Sequence, residues 1–244
     1  MSGSDKTSKT TGRLYLVPTP IGNLTDITLR AVETLKNADI VCAEDTRRAR
    51  ILFERYDIRC KPYSYRDQNA ARMAAKIVDW VRDGRTVAII SDAGTPGISD
   101  PGYRAAKAVI DADLPLEVLP CPTAIAPALV LSGLGVDRFA FEGYLPVKKG
   151  KQTRLRELAL EPRTMILYEA PHRLVATLSD LNEYLGGDRL AAVARELTKI
   201  HEEIIRRPLC QLHQHFSTSP PKGEIVIVVE GLVAYTKRIK KKIE

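Results

Sequence analysis

Short apolar runs alternate with amphipathic stretches from residue 13 to about residue 132. RLYLV at 13–17, DIVCA at 39–43, TVAII at 86–90 and LEVL at 116–119 read as strands, and TVAII fits a strand buried within a parallel sheet. Residues 28–36, 69–82, 102–111 and 124–131 read as the helices between and after them. That alternation predicts an α/β half built on parallel strands. A second half follows SGLGVDR, with strands FAFEGY, TMILYE, LAAVARE and EIVIVVE, which can pair antiparallel as well as parallel, and with helices at 151–160 and 173–185. Gly133, Gly135 and Gly143 surround the changeover and predict a hinge near residue 135. The expected organisation is a disordered tail at 1–12, an N-terminal α/β domain at 13–134, a C-terminal α/β domain at 135–232 and a basic tail at 233–244. The ligand site is expected in the cleft between the two domains.

The stretch Ser91 to Gly102, SDAGTPGISDPG, lies directly behind the TVAII strand. Gly94, Gly97 and Gly102 permit close backbone approach, and Pro96 and Pro101 limit the loop's freedom. The residues after Pro101 read as a helix, so the order is strand, loop, helix, the edge at which open α/β sheets bind ligands. A tight turn with Asp92 and Ser99 capping local amides accounts for the same composition.

With 244 residues, 44% of them hydrophobic and 27% charged, the chain reads as globular, and no apolar run is long enough to span a bilayer. MSGSDKTSKTTG at the start has no hydrophobic signal segment, and the expected location is cytoplasmic. Cys42, Cys60, Cys121 and Cys210 form no CxxC pair, which argues against a disulfide framework or a zinc ribbon. Cys210, His213 and His215 form a CxxHxH with no accompanying ligand cluster, so no metal is expected. Of the formal charge of +7, the final segment KRIKKKIE supplies +4. Within the body, positive residues come in bursts suited to phosphates or to solvated helix faces: Arg47, Arg48, Arg50 and Arg55; Lys148, Lys149, Lys151, Arg154 and Arg156; Arg206 and Arg207. The second burst follows FEGYLPVKKGK, a segment punctuated by Gly and Pro, and is expected on a mobile connection.

VPTPIGNL stands where a dinucleotide-binding chain would carry GxGxxG, and there is no GxxxxGK[ST], GxSxG, HExxH or EF-hand loop. Those absences remove the commonest nucleotide, hydrolase, metalloprotease and calcium readings.

Seven motifs in unbroken order over residues 13 to 231 resemble one family: VPTPIGNLTDITLRA, AEDTRRARILF, SDAGTPGISDPG, DRFAFEGYLPVKK, YEAPHRL, ARELTK and KGEIVIVVEG. That family is the ribosomal RNA small subunit methyltransferase I group, within the tetrapyrrole methylase fold class. The resemblance implies a class III methyltransferase with two α/β domains and S-adenosyl-L-methionine in the cleft between them. It also implies a homodimer and 2'-O-methylation of a cytidine ribose in 16S ribosomal RNA of the small ribosomal subunit. Two alternatives stand beside it: a tetrapyrrole methyltransferase of the same fold, and a non-catalytic RNA-binding protein of ribosome assembly. Where the family has PGP before a small residue, this chain has Cys121 at the glycine, so close cofactor approach does not carry over there.

The resemblance places the cofactor against Asp92, Ala93, Gly94, Thr95, Ile98 and Ser99, with Thr123 and Ala124 completing that wall. Tyr168 and Ala194 are expected as adenine or ribose contacts or as core residues. Methyl transfer to a ribose oxygen needs alignment, exclusion of water and removal of one proton. Glu44, Asp45 and Arg47 follow an apolar strand and open a helix at the sheet edge. Asp45 either accepts the 2'-hydroxyl proton or N-caps the helix from Thr46. Glu169 is expected at the reaction centre with Asp45 and Arg47. Arg47, Arg48, Lys148, Lys149, Lys151, His172 and Arg173 are expected to contact RNA, the arginines as phosphate clamps. Glu196 and Lys199 form either a buried ion pair or an active-site pair, and Asn23 either lines the cleft floor or caps a helix.

Overall fold

The computed structural model describes residues 12–120 and 122–243. Residues 1–11 of the expected tail and Cys121 lie outside the described residues. The chain divides into two compact units after Thr123.

The first unit carries β1 (Arg13–Leu16), α1 (Leu29–Asn37), β2 (Ile40–Ala43), α2 (Thr46–Tyr56), β3 (Tyr63–Ser64), α3 (Ala70–Arg82), β4 (Thr86–Ile90), α4 (Gly102–Asp111) and β5 (Leu116–Val118). Its sheet has the order β3-β2-β4-β1-β5, with every pairing parallel. Alternate residues of each central strand enter two different apolar clusters. Leu14, Leu16, Cys42, Val87 and Ile89 pack with residues of α3 and α4, whereas Val41, Ala43, Ala88 and Ile90 pack with residues of α1 and α2. Burial on both faces is why these strands are unbroken apolar runs rather than alternating ones. Parallel pairing also brings the loops after β1, β2, β4 and β5 to one sheet edge.

The second unit carries α5 (Ile125–Ser132), β6 (Phe139–Tyr144), α6 (Lys151–Ala159), β7 (Thr164–Glu169), α7 (Leu174–Leu185), β8 (Leu190–Arg195), β9 (Glu203–Pro208), α8 (Leu209–Thr218), β10 (Ile225–Val229) and α9 (Leu232–Ile243). The sheet order is β6-β7-β10-β8-β9, with β6 and β7 parallel and the rest antiparallel. One face, with Met165, Leu167, Val193, Ile225 and Ile227, packs under α6, α7 and α8.

Two expectations are corrected. The boundary falls at Thr123 rather than near residue 135, because α5 packs against β8, β9 and β10, and Arg206 Nε donates to Leu131 O at 2.6 Å. Part of the basic burst at Arg206 thus holds a helix instead of facing solvent freely. The Lys-rich end is no loose tail but the helix α9. Arg238 pairs with Glu230 at 2.7 Å, and the guanidinium groups of buried Arg189 and of Arg238 lie 5.2 and 5.4 Å from the centre of the Tyr235 ring. Leu232, Tyr235 and Arg238 recur at helical spacing, so one stripe is anchored while Lys237, Lys240, Lys241 and Lys242 remain exposed.

Candidate functional site

The Ser91–Gly102 loop is closed on itself and on the loop after β1. Thr19 N donates to Gly94 O at 3.0 Å, Gly94 N donates to Thr19 O at 2.9 Å, and Thr19 Oγ1 donates to Ser91 O at 3.0 Å. Asp100 Oδ1 accepts from Gly97 N and Gly102 N, both at 2.7 Å. Gly94 has φ +75°, and a Cβ on Gly102 would stand 2.8 Å from Gly97 N, so both positions require glycine. Buried Tyr65 donates its hydroxyl to Pro101 O at 2.8 Å and fixes the far end. With the backbone held this way, Ala93, Ile98 and Ser99 are exposed on the loop, and Asp92 and Thr95 are half-buried. Thr123, which ends this unit, is half-buried, and Ala124 precedes the first turn of α5 in the second unit.

Beside this loop the residues after β2 form an acidic group. Asp92 Oδ1 accepts from Asp45 N at 2.8 Å, while the Glu44 carboxylate accepts from the backbone N–H of Asp92. Burial, then the Asp92 and Asp100 charges, raise the Glu44 carboxyl above its ordinary range. Asp45 behaves in the opposite way. Its side chain caps α2 through Arg47 N at 2.8 Å and pairs with the Arg47 guanidinium at 3.0 Å. Those bonds, the side-chain one first, bring its pKa down to about 2. Of the two expectations for Asp45, the helix cap is the one its bonds show, and a carboxylate bound to its own Arg and capping amide is a weak base. Arg47 is largely exposed, Arg48 lies 3.6 Å from Asp92, and Arg66 Nε donates to Glu44 O at 3.0 Å.

In the second unit, strand register places Tyr168 and Ala194 on either side of Val226. Tyr144 stands opposite Tyr168 on the other flank, so Tyr144, Tyr168, Val226 and Ala194 form one row across the sheet. Directly paired residues share a face, and this is the face away from the main core. Ala194 is buried, Tyr168 half-buried and Tyr144 exposed.

Glu169 and Arg173 require a correction. The Glu169 side chain has no exposed surface and accepts from Thr177 Oγ1 at 2.5 Å and Ala170 N at 2.8 Å. Arg173 Nε lies 3.2 Å from Glu169 Oε1, and Arg173 Nη2 donates to Leu145 O at 2.8 Å. Glu169 is thus a buried anchor rather than a reacting group. Arg173, expected to bind phosphate, instead holds the start of the 145–150 segment. Lys151 is likewise engaged, by Asp180. His172, Lys148 and Lys149 are exposed, and Lys148 and Lys149 have no ion-pair partner among the described residues. Glu196 pairs with Lys199 at 2.8 Å and accepts from Glu224 N at 2.9 Å, and both side chains are part-exposed. Asn23 accepts from Thr25 N at 3.1 Å and caps a 3-10 turn at Leu24–Asp26. Among the described residues no His, Cys, Asp and Glu side chains gather as metal ligands, and no helix is long and apolar enough to cross a membrane.

Sequence reasoning did not anticipate Thr19, which bridges to Gly94 across 75 positions, or the roles of Arg173 and Asp100 as organisers. For Asp100 a signal was present: an acid between two glycines in a loop is placed to accept their amides.

An all-parallel sheet with a glycine-rich loop and an acidic group at its carboxyl edge, followed by a mixed sheet, defines a two-unit α/β protein. Residues 13–213 match the Tetrapyrrole (Corrin/Porphyrin) Methylases, and the chain belongs to that family. Within it, the chain is similar to proteins named ribosomal RNA small subunit methyltransferase I. One from Mesorhizobium japonicum is 50% identical over 218 residues, covering 88% of this chain and 74% of the relative. One from Synechocystis is 48% identical, covering 90% and 79%, and one from Thermotoga maritima is 40% identical, covering 90% and 99%. Among solved structures, diphthine synthase has a TM-score of 0.71 at 12% identity, covering 90% of each chain. Uroporphyrin-III C-methyl transferase from Thermus thermophilus, solved with S-adenosyl homocysteine, has a TM-score of 0.60 at 20% identity, covering 92% of this chain and all of that one. These structural likenesses bear on the fold alone.

Proposed function

We infer that this chain transfers a methyl group from S-adenosyl-L-methionine to a ribose 2'-oxygen of a cytidine in 16S ribosomal RNA of the small ribosomal subunit. The observation that carries the reading is identity of 40–50% to relatives of that name along about nine-tenths of the chain, through both units. The residues present fit such a donor. Gly94 at positive φ carries no side chain, the loop is fixed by Asp100 and Thr19, and Ala93, Ile98 and Ser99 stand exposed on it. Asp92, Ala93, Gly94, Thr95, Ile98, Ser99, Thr123 and Ala124 hold the donor in this reading. In the second unit, Tyr168 and Ala194 lie on an aromatic and apolar row suited to a flat adenine ring. When bound, the donor supplies an electrophilic methyl on a sulfonium.

The chain's own residues have three tasks. The rigid loop fixes one reactant, which converts binding into alignment. Glu44, raised by burial and by the neighbouring Asp92 and Asp100 charges, takes the hydroxyl proton that Asp45 is too weak a base to accept. Exposed Arg47, with Lys148, Lys149 and His172, contacts the RNA backbone, and Arg48 does so while neutralising Asp92. A homodimer and a cytoplasmic location accompany this reading.

Labelled-methyl transfer onto small subunits from cells lacking the modification, with nucleotide mapping, tests it. Label on a cytidine ribose is expected. Label on a tetrapyrrole and none on RNA overturns the substrate, and absence of any donor binding by calorimetry overturns the enzyme.

A further inference from the structure

Helix α9, LVAYTKRIKKKI, contains no acidic residue, and its lysines take no part in the site described above. At about 100° per residue, Leu232, Tyr235, Arg238 and Ile239 fall on one side of the helix and Lys237, Lys240 and Lys241 on the other. The first side is half-buried and tied near both of its ends. Leu232 N donates to Glu161 O at 2.8 Å, while Arg238 Nη2 donates to Asp188 O at 2.7 Å and binds Glu230. These ties fix how the helix is turned, so the three lysines stand exposed on one face. Lysines on other helices are matched by acids, Lys107 by Asp111 and Lys151 by Asp180. Lys237, Lys240 and Lys241 have no ion-pair partner among the described residues, and Arg238 already engages Glu230.

This face lies at the other end of the sheet from the row Tyr144, Tyr168, Val226 and Ala194. β10 begins beside Glu169 and Arg195, ends at Val229 beside Met165 and Ala191, and is followed three residues later by α9. From Val226 to the end of β10 the strand rises on the order of 10 Å before α9 begins. One ligand serves both places only if it is a chain of several phosphates. The docked side of α9 also argues against a lipid surface. An interfacial helix sinks its apolar side into the bilayer, and here that side already packs on the protein.

We propose that α9 is a second phosphate-docking surface, on which Lys237, Lys240 and Lys241 hold the sugar-phosphate backbone of the RNA away from the methylated nucleotide. This rests on the RNA reading above and adds to it a contact remote from the reacting ribose. Because the helix is already folded and anchored, binding there orders little besides the lysine side chains. The test is binding of labelled 16S ribosomal RNA across a salt series. Each phosphate contact contributes about 0.7 to 0.9 to the slope of log affinity against log salt. The triple variant Lys237→Gln, Lys240→Gln, Lys241→Gln is therefore expected to lower that slope by about 2 to 3. Raising salt from about 50 to 200 mM should then weaken it by roughly 20- to 40-fold less than the parent. Arginine at the same three positions should restore the slope. Methyl transfer onto small subunits should show a raised KM with kcat unchanged, and donor affinity should match the parent. A charge-matched control replaces exposed Lys36, Lys61 and Lys242 by Gln, the last on the docked side of α9, and is expected to keep the parent's slope. An unchanged slope in the α9 variant, or an equal fall in the control, overturns the docking surface and leaves the RNA reading standing. Loss of binding to phosphatidylserine vesicles without loss on RNA overturns it in favour of a lipid surface. A parent chain that neither binds the RNA nor methylates small subunits overturns both readings.

Discussion

The Ser91–Gly102 loop of the first unit and the 145–150 segment of the second each join a strand to a helix, yet they are built in opposite ways. The first is tied along its length by Thr19, Ser91 and Asp100 and carries small residues, so it presents mainly backbone. The second is tied near its start, by Arg173 at Leu145 O, and presents the exposed side chains of Val147, Lys148 and Lys149. A closed loop suits a ligand of one fixed shape, because no ordering is left to be done at binding. An open basic segment suits a polyanion whose path varies, because phosphate contacts position without demanding one geometry.

The largest effect is expected where the open segment depends on a buried anchor. Glu169→Gln leaves Arg173 without its carboxylate partner, and an interrupted buried pair costs about 3 kcal/mol or more. Denaturant unfolding should show that loss, together with weaker RNA binding as Leu145 is released, while donor affinity stays within a few-fold of the parent. A loss confined to donor affinity would break the division of labour between the two segments. In the closed loop the matching change is Asp100→Ala, which leaves the Gly97 and Gly102 amides without their acceptor. An expected cost of about 1–3 kcal/mol follows from unpaired donors in a partly buried place. Calorimetric titration should show donor affinity falling tenfold or more, with RNA binding little changed.

Much of the closed loop was legible in sequence, because glycine, proline and an acid in fixed order state their backbone geometry locally. The apolar runs of β1, β2 and β4 were legible for a related reason, since burial on both faces removes the ambiguity of alternation. The open segment was less so. Arg154, Lys151 and Arg173 look alike as basic residues, and only the fold shows that Glu142, Asp180 and Glu169 engage them and that Lys148 and Lys149 have no ion-pair partner among the described residues. The edge strand β9, EIIRRP, and the helix α9, LVAYTKRIKKKI, were hidden by charge. Their structure comes from partners outside each element: Ala191 and Val193 of β8 for β9, and nearby Glu230 with distant Asp188 and Arg189 for α9. Thr19 to Gly94 is the same case at longer range.

The finest comparison lies between adjacent carboxylates at the edge of the first sheet. Glu44 has a raised pKa in the fold, so its ionisation costs stability: the favourable, protonated state is fully present below its ordinary value of 4.5 and is lost as pH rises through the raised one. Glu44→Gln should therefore raise the unfolding midpoint slightly at pH 7, with the gain vanishing as pH falls toward 4.5. Methyl transfer by the same variant should fall by roughly 10²-fold or more, the usual loss of a general base. Asp45 has the reverse linkage. Its depressed pKa adds stability above the ordinary value of 3.8, and that contribution is lost as pH falls through about 2. Asp45→Asn keeps a capping oxygen but lacks the charge that Arg47 binds, so it should lower the midpoint at pH 7 slightly and methyl transfer by no more than a few-fold, the difference in midpoint vanishing as pH falls from 4 to about 2. Thermal unfolding across pH, paired with methyl-transfer rates, distinguishes the two. If Asp45→Asn abolished transfer while Glu44→Gln retained it, the proton would pass to the capped carboxylate. Basicity in place would then not be what selects between these neighbours.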